Sequence, residues 1–184
     1  MKKVILCFLG MFSLNVNASD VLDMDKAVRD GDIGAVSSLI EKGVSPSVVI
    51  DEGRNSNWKH SPLILAVKSG NTQLVKLLIK NGANVNYVNV GSTSALKEAV
   101  SNDNDIIASL LISAKADVNF VDENEVPILF WAVSKKSKKV IPLLIKAGAN
   151  PDKEFNSMFY GKHTVKGYFS QDGKSASSIL SLLN

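Results

Sequence analysis

The chain has 184 residues, with 21 Lys and Arg against 18 Asp and Glu, 45% hydrophobic residues, one Cys and two His. That length holds one domain, two at most, with enough apolar content for an independent core, and a charged fraction of 21% is not that of a disordered chain. One cysteine excludes a disulfide framework and a Cys-rich zinc site, and two histidines leave little for a histidine metal cage.

At the N-terminus, Lys2 and Lys3 precede an apolar run from Val4 to Leu14, followed by Val16, Asn17 and Ala18. A short basic start, an apolar stretch and small residues before the junction form a secretory signal peptide. The run falls short of the ~20 residues that a membrane span requires, and bulky Leu6 ahead of Cys7 argues against a lipoprotein. Cleavage after Ala18 is expected. It would leave a thiol-free chain from Ser19 in a bacterial periplasm, with no membrane insertion afterwards.

The rest of the chain repeats. Ser38-Leu39-Ile40, Leu77-Leu78-Ile79, Leu110-Leu111-Ile112 and Leu143-Leu144-Ile145 recur at intervals of 39, 33 and 33 residues, in step with Ala27-Val28, Ala66-Val67, Ala99-Val100 and Ala132-Val133. Each repeat reads as a helix, a tight turn, a second helix and an extended loop. In the second repeat Leu63, Ala66 and Val67 recur at helical spacing and Gly70 breaks the helix. Thr72 can cap the next helix, whose stripe is Leu74, Leu77 and Leu78, and Gly82 and Asn84 end it. The counterparts of Gly70 are Gly31, Asp103 and Lys136. Lys136 is ill suited to a left-handed cap, so a looser turn is expected there. Pro142 removes a donor and should distort the first turns of the fourth repeat's second helix. After Asp152 the register is lost; 153–171 reads as an enlarged loop, and 172–184, with Ile179, Leu180, Leu182 and Leu183, as a terminal half-unit covering the exposed end.

Ser61-Pro62-Leu63-Ile64-Leu65-Ala66-Val67 resembles the Thr-Pro-Leu-His-x-Ala-Ala motif of the ankyrin repeat family, and Gly82-Ala83-Asn84-Val85-Asn86 resembles its Gly-Ala-Asp-Val-Asn turn. The resemblance covers about Asp23 to Asp152. It implies an all-α ankyrin-repeat solenoid of about four helix-turn-helix units (23–47, 58–90, 91–123, 124–152) with outward hairpin loops and a C-terminal capping half-unit. Two departures stand out: Ser94-Ala95-Leu96-Lys97 and Pro127-Ile128-Leu129-Phe130 lose or displace the proline, and the usual histidine is missing from every repeat.

Signatures of nucleophile elbows, zinc helices, phosphate loops and dinucleotide folds are absent, so no enzyme, cofactor or metal is expected. His60 and His163 are the candidate bases, of which His60, just before Ser61-Pro62, reads as a surface or turn residue, and Asp122, Glu123 and Glu125 read as a solvated hairpin tip. Interaction features are richer. Six extra residues fall between Pro46 and His60, in a loop with Trp58, and five of the chain's 12 aromatics fall in 153–171. Phe155, Met158, Phe159, Tyr160, Tyr168 and Phe169 there have two readings, a partner interface or a cover for the last repeat's core. Tyr87 and Phe120, 33 residues apart, form either a ladder facing a partner or packing between hairpins. Of Phe130 and Trp131, at least one should be core.

By the family's geometry, the partner-binding residues are Asn57, Trp58, His60 and Lys68 in the second repeat and Val90, Thr93 and Asn102 in and beside the third, to which the aromatic spacing adds Tyr87. Phe120, Glu123, Asn124, Val126 and Lys135 continue the set, with Phe159 and Tyr160 in the last loop. From Ser19 to Phe130 there are 10 basic and 15 acidic residues, from Trp131 to Asn184 nine and three. The cluster Lys135-Lys136-Ser137-Lys138-Lys139 is a solvated turn or a steering patch for an acidic protein; nucleic acid is a poor fit. The expected protein is a non-catalytic module, monomeric when free, that binds one folded protein. Export and small size point to an immunity protein neutralising a toxic effector; the alternative is a scaffold for a periplasmic enzyme, for example in oxidative-stress defence.

Overall fold

The computed structural model describes residues 16–51, 59–170 and 181–183, and the chain divides after Ala95 into two compact bodies, 1–95 and 96–184. The N-terminal body holds α1 (Ala18–Asp30), α2 (Ile33–Glu41), β1 (Ile50–Asp51), β2 (Lys59–His60), α3 (Pro62–Lys68) and α4 (Thr72–Lys80). α1 packs on α2 and α3, and α4 on α3 and α2, so first and second helices form separate layers around Met24, Val28, Leu63, Leu74 and Leu78. The C-terminal body holds α5 (Ala95–Ser101, whose first residue ends the other body), α6 (Asp105–Ser113), α7 (Ile128–Ser134) and α8 (Val140–Lys146). These are followed by β3 (Glu154–Ser157), β4 (Gly161–Thr164), α9 (Val165–Ser170) and a 3-10 turn at Ser181–Leu183. Its core includes Leu96, Ile107, Leu111, Leu129, Ile141 and Leu144. The architecture is the expected all-α ankyrin solenoid.

α1 starts at Ala18, ahead of the expected Asp23. Asn17 and Asp20 form a reciprocal capping box, each side chain accepting from the other's backbone N–H at 3.0 and 2.9 Å. Lys42, 2.5 Å from the buried Asp20 carboxylate, together with the Asn17 amide holds that carboxyl below its ordinary value despite burial. The expected cleavage junction, Ala18–Ser19, therefore lies in the first turn of α1.

The joint between the paired helices is the same in all four repeats. Gly31, Gly70, Asp103 and Lys136 take left-handed φ values of 71°, 69°, 51° and 56°. The next residue, Asp32, Asn71, Asn104 or Ser137, donates its N–H to the carbonyl of Ala27, Ala66, Ala99 or Ala132 at 2.9–3.1 Å. The side chain of that same residue accepts from the N–H three positions on, capping the second helix. The turn at Lys136 is thus no looser than the others, contrary to expectation: the same two bonds force the same conformation on a lysine. Each second helix ends likewise, with Gly43, Gly82, Lys115 and Gly148 at positive φ. Pro142 does act as expected. With Ser137 as its cap, α8 should begin at 138 but is formed only from Val140, because Pro142 has no N–H to donate back to Lys138.

Past Asp152 the structure departs from the loop reading. Asp152 keeps the turn bond of the earlier repeats, its N–H donating to Asn150 Oδ1 as Asn86 does to Asn84 and Asn119 to Asp117. Glu154 then pairs with Thr164 where Val121 pairs with Pro127 and Val88 with Ser94, so this hairpin is four residues longer than those two. Thr164 Oγ1 accepts from the Gly167 N–H at 2.9 Å as Ser61 Oγ accepts from Ile64, and α9 follows. The expected loop is therefore an outward hairpin over 154–164 followed by α9. Of the expected terminal half-unit, 172–180 and Asn184 lie outside the described residues, and Leu183 is buried against the C-terminal body, its 3-10 turn packing on α8.

Left-handed φ costs a residue with a Cβ roughly 1–2 kcal/mol, partly offset by glycine's freer unfolded chain. Lys115→Gly and Lys136→Gly should each therefore raise stability by about 0.5–1 kcal/mol, and Gly70→Lys should lower it by about 1–2 kcal/mol. Urea unfolding followed by circular dichroism checks this; three unchanged midpoints would contradict it.

Candidate functional site

Two regular hairpin tips are organised from within by one buried polar residue each. In the N-terminal body Asn89 is 6% exposed; its N–H donates to Thr93 O, and its Oδ1 accepts the Thr93 N–H at 2.8 Å. Asp122 holds the matching place in the C-terminal body, 33 residues on and also 6% exposed. Its N–H donates to Val126 O, and its Oδ1 accepts the amides of Asn124 and Val126 at 3.0 and 3.1 Å. Ser92 and Glu125 take matching positive φ of 46° and 59° at these tips.

Asp122 does more. Its Oδ2 accepts the Trp131 indole N–H at 3.0 Å and lies 3.1 Å from Lys97 Nζ, which in turn stands 6.0 Å from the Trp131 ring centroid. Lys97 occupies the place of the family's missing histidine in the third repeat. Burial pushes the Asp122 carboxyl up, and Lys97 with the Val126 and Asn124 amides more than offsets this and holds it below its ordinary value. Of the three acids read as a solvated tip, Asp122 is therefore structural, and only Glu123 and Glu125 are exposed.

Phe130 fills the same histidine place in the fourth repeat and decides the fate of the last segment's aromatics. Its ring lies 4.6–5.7 Å from those of Phe155, Tyr160, Tyr168 and Phe169. These four cover the last repeat's core. Met158 and Phe159 remain outside the cluster, 91% and 70% exposed.

The residues expected to contact a partner fall into two groups within each body. At the hairpins, Val90 is 62% exposed, Glu123 is exposed, and His60, Thr93 and Asn124 are half-buried. Tyr87 and Phe120 are also half-buried, and burial pushes the Tyr87 hydroxyl up from its ordinary value. Val126 is a correction: at 1% exposure, with N–H and carbonyl bound to Asp122, it belongs to the core. Lys68, Asn102 and Lys135 are exposed at the C-terminal ends of α3, α5 and α7, a helix length of about 10 Å from the hairpins. The lysine cluster is in this second group, with Lys139 Nζ 3.4 Å from Asp105 Oδ2. Tyr160 is half-buried on Phe130, whereas Phe159 points outward. Asn57 and Trp58 lie outside the described residues. Among the described residues no three His, Cys, Asp or Glu side chains converge as a metal site would require, and no helix is long and apolar enough to cross a membrane.

Asp122→Asn removes the countercharge that faces Lys97 and weakens the bonds from Trp131 and the tip amides, so it should cost about 2–3 kcal/mol at neutral pH. Because the folded-state pKa is depressed, the Asp122 contribution is complete above the ordinary carboxylate range and is lost as pH falls below about 4. Thermal melts at pH 7 and pH 3 should show a smaller acid-induced loss in the variant than in the parent; equal losses would remove Asp122 from this role.

Among known proteins, the family model for ankyrin repeats (three copies) matches residues 24–122. The chain is similar to ankyrin repeat protein FPV245 of fowlpox virus (strain NVSL), at 38% identity over 69 residues, 37% of this chain and 14% of that protein. It is also similar to BTB/POZ domain-containing protein 3 of Schizosaccharomyces pombe (strain 972 / ATCC 24843), at 34% identity over 74 residues, 40% of this chain and 13% of that protein. The chain thus spans a small part of the length of both relatives. Repeats of this kind are protein-binding modules, and with the match covering more than half of its residues the chain belongs to the ankyrin repeat family.

Proposed function

We propose that this chain is a non-catalytic binding module of the bacterial periplasm, an immunity protein that neutralises one toxic effector delivered into the cell envelope. The observation that carries the binding part is the construction of the two regular tips. Asn89 and Asp122 fix the backbone from inside while Val90 and Glu123, unlike in chemistry, face outward. Tips that are already ordered lose little conformational entropy on docking. Apolar, acidic and amide groups without a shared chemistry suit a folded protein better than a small ligand.

Export is supported by the basic start and apolar run of residues 2–14. On this reading leader removal precedes folding, because the Ala18–Ser19 bond lies inside a helical turn once α1 has closed. The immunity role rests on export, small size and a recognition surface without catalytic signatures.

Deleting the gene should sensitise the producing strain to killing by siblings with active secretion. Restoring the parent chain should protect it, and Val90→Asp combined with Glu123→Lys should not, although both positions are exposed and the variant should fold. Competition assays between marked strains measure this, and full resistance of the deletion strain would refute the immunity role.

A further inference from the structure

We propose that the tip of the β3–β4 hairpin is an insertion element, with Met158 and Phe159 entering an apolar pocket of a folded protein whose rim is acidic where it meets Lys153 and Lys162. This rests on the protein-binding reading above and names the element that anchors the partner.

Met158 and Phe159, at 91% and 70% exposure, are the most exposed large hydrophobic residues described, and they adjoin. They cover nothing of their own fold, since Phe155, Tyr160, Tyr168 and Phe169 already close over Phe130. The hairpin that carries them is rooted on both sides. Phe155 is 7% exposed at one side, the Tyr160 ring packs tilted against Phe130 at 4.6 Å at the other, and buried Ser157 accepts the Phe159 N–H through Oγ at 3.3 Å. The four added residues thus build a supported stalk with an apolar point. Neighbouring exposed apolar side chains on an ordered element mark an interaction site, and large apolar anchors in pockets carry most of an interface's energy.

Charge narrows the occupant. Lys162 stands on β4 next to the tip, with its Nζ 3.1 Å from Glu154 Oε2, and Lys153 is exposed at the base of β3. The neighbouring hairpin adjoins, because Val121 and Pro127 line one groove with Lys153, Glu154 and Phe155, and it exposes Glu123 and Glu125. Those carboxylates repel an anionic lipid surface, and two apolar residues bury too little area to hold a membrane. A folded partner can place acids opposite the lysines and keep them from the glutamates.

The test places the photo-crosslinker p-benzoyl-phenylalanine at position 159 of the full chain, in the cells that make it. One protein adduct is expected, its crosslinked peptide combining apolar residues with Asp or Glu. Purified, that protein should bind Phe159→Asp or Met158→Asp about 100-fold more weakly than the parent, with helix content and melting unchanged because the tip supports nothing. Unaltered affinity of both variants, or adducts confined to lipid, to a second copy of this chain or to nothing, would overturn the proposal. If Val90→Asp with Glu123→Lys abolishes binding while the tip variants do not, the binding module stands and its anchor lies in the repeats. If the chain binds no protein, both readings fall.

Discussion

A helix of seven residues has about two turns and does not persist alone in water. The constraint on which this protein depends is therefore the joint that ends one short helix and starts the next. A single residue serves both ends: Asn71 donates its N–H to the Ala66 carbonyl and accepts the Leu74 N–H on its side chain. Asp32, Asn104 and Ser137 do the same. That double use requires the preceding residue to be left-handed, whatever its side chain. Small alanines at 27, 66, 99 and 132 follow from it, since their carbonyls take the returning chain where the helices are most crowded.

What was legible in the residues is what this constraint repeats. The row of alanines, the Leu-Ile pairs and the glycines at 31, 43, 70, 82 and 148 disclose helices, joints and their order. Lys136 misleads because side-chain preference is worth about a kilocalorie, whereas the joint's two hydrogen bonds and the packing behind them are worth more. The last hairpin and α9 are hidden for another reason. Thr164-Val165-Lys166-Gly167 retains the capping hydroxyl but, of the apolar pattern, only Val165, and a lengthened hairpin shifts it out of register.

The site was legible only in outline. Position and exposure of Val90 and Glu123 follow from the repeat, but Val126 and Asp122 cannot be told from surface residues until the tip closes around them. The missing histidines explain much of this. Lys97 and Phe130, which stand in their places, have each been drawn into local work: one neutralises Asp122, the other gathers the aromatic cover. A motif describes the average use of a position, and here the departures from it specify the electrostatics and the closure of the C-terminal body.

The hairpins differ in length while the helices behind them keep step. The first is six residues longer than the regular pair and the last is four residues longer, yet Ser61 and Thr164 stand in the same relation to the helix that follows, each capping it through its hydroxyl. Length at the tip is thus mechanically uncoupled from register at the base. Residues can be added or deleted at a tip without repacking a single helix, so the tips are free to vary while the scaffold stays the same.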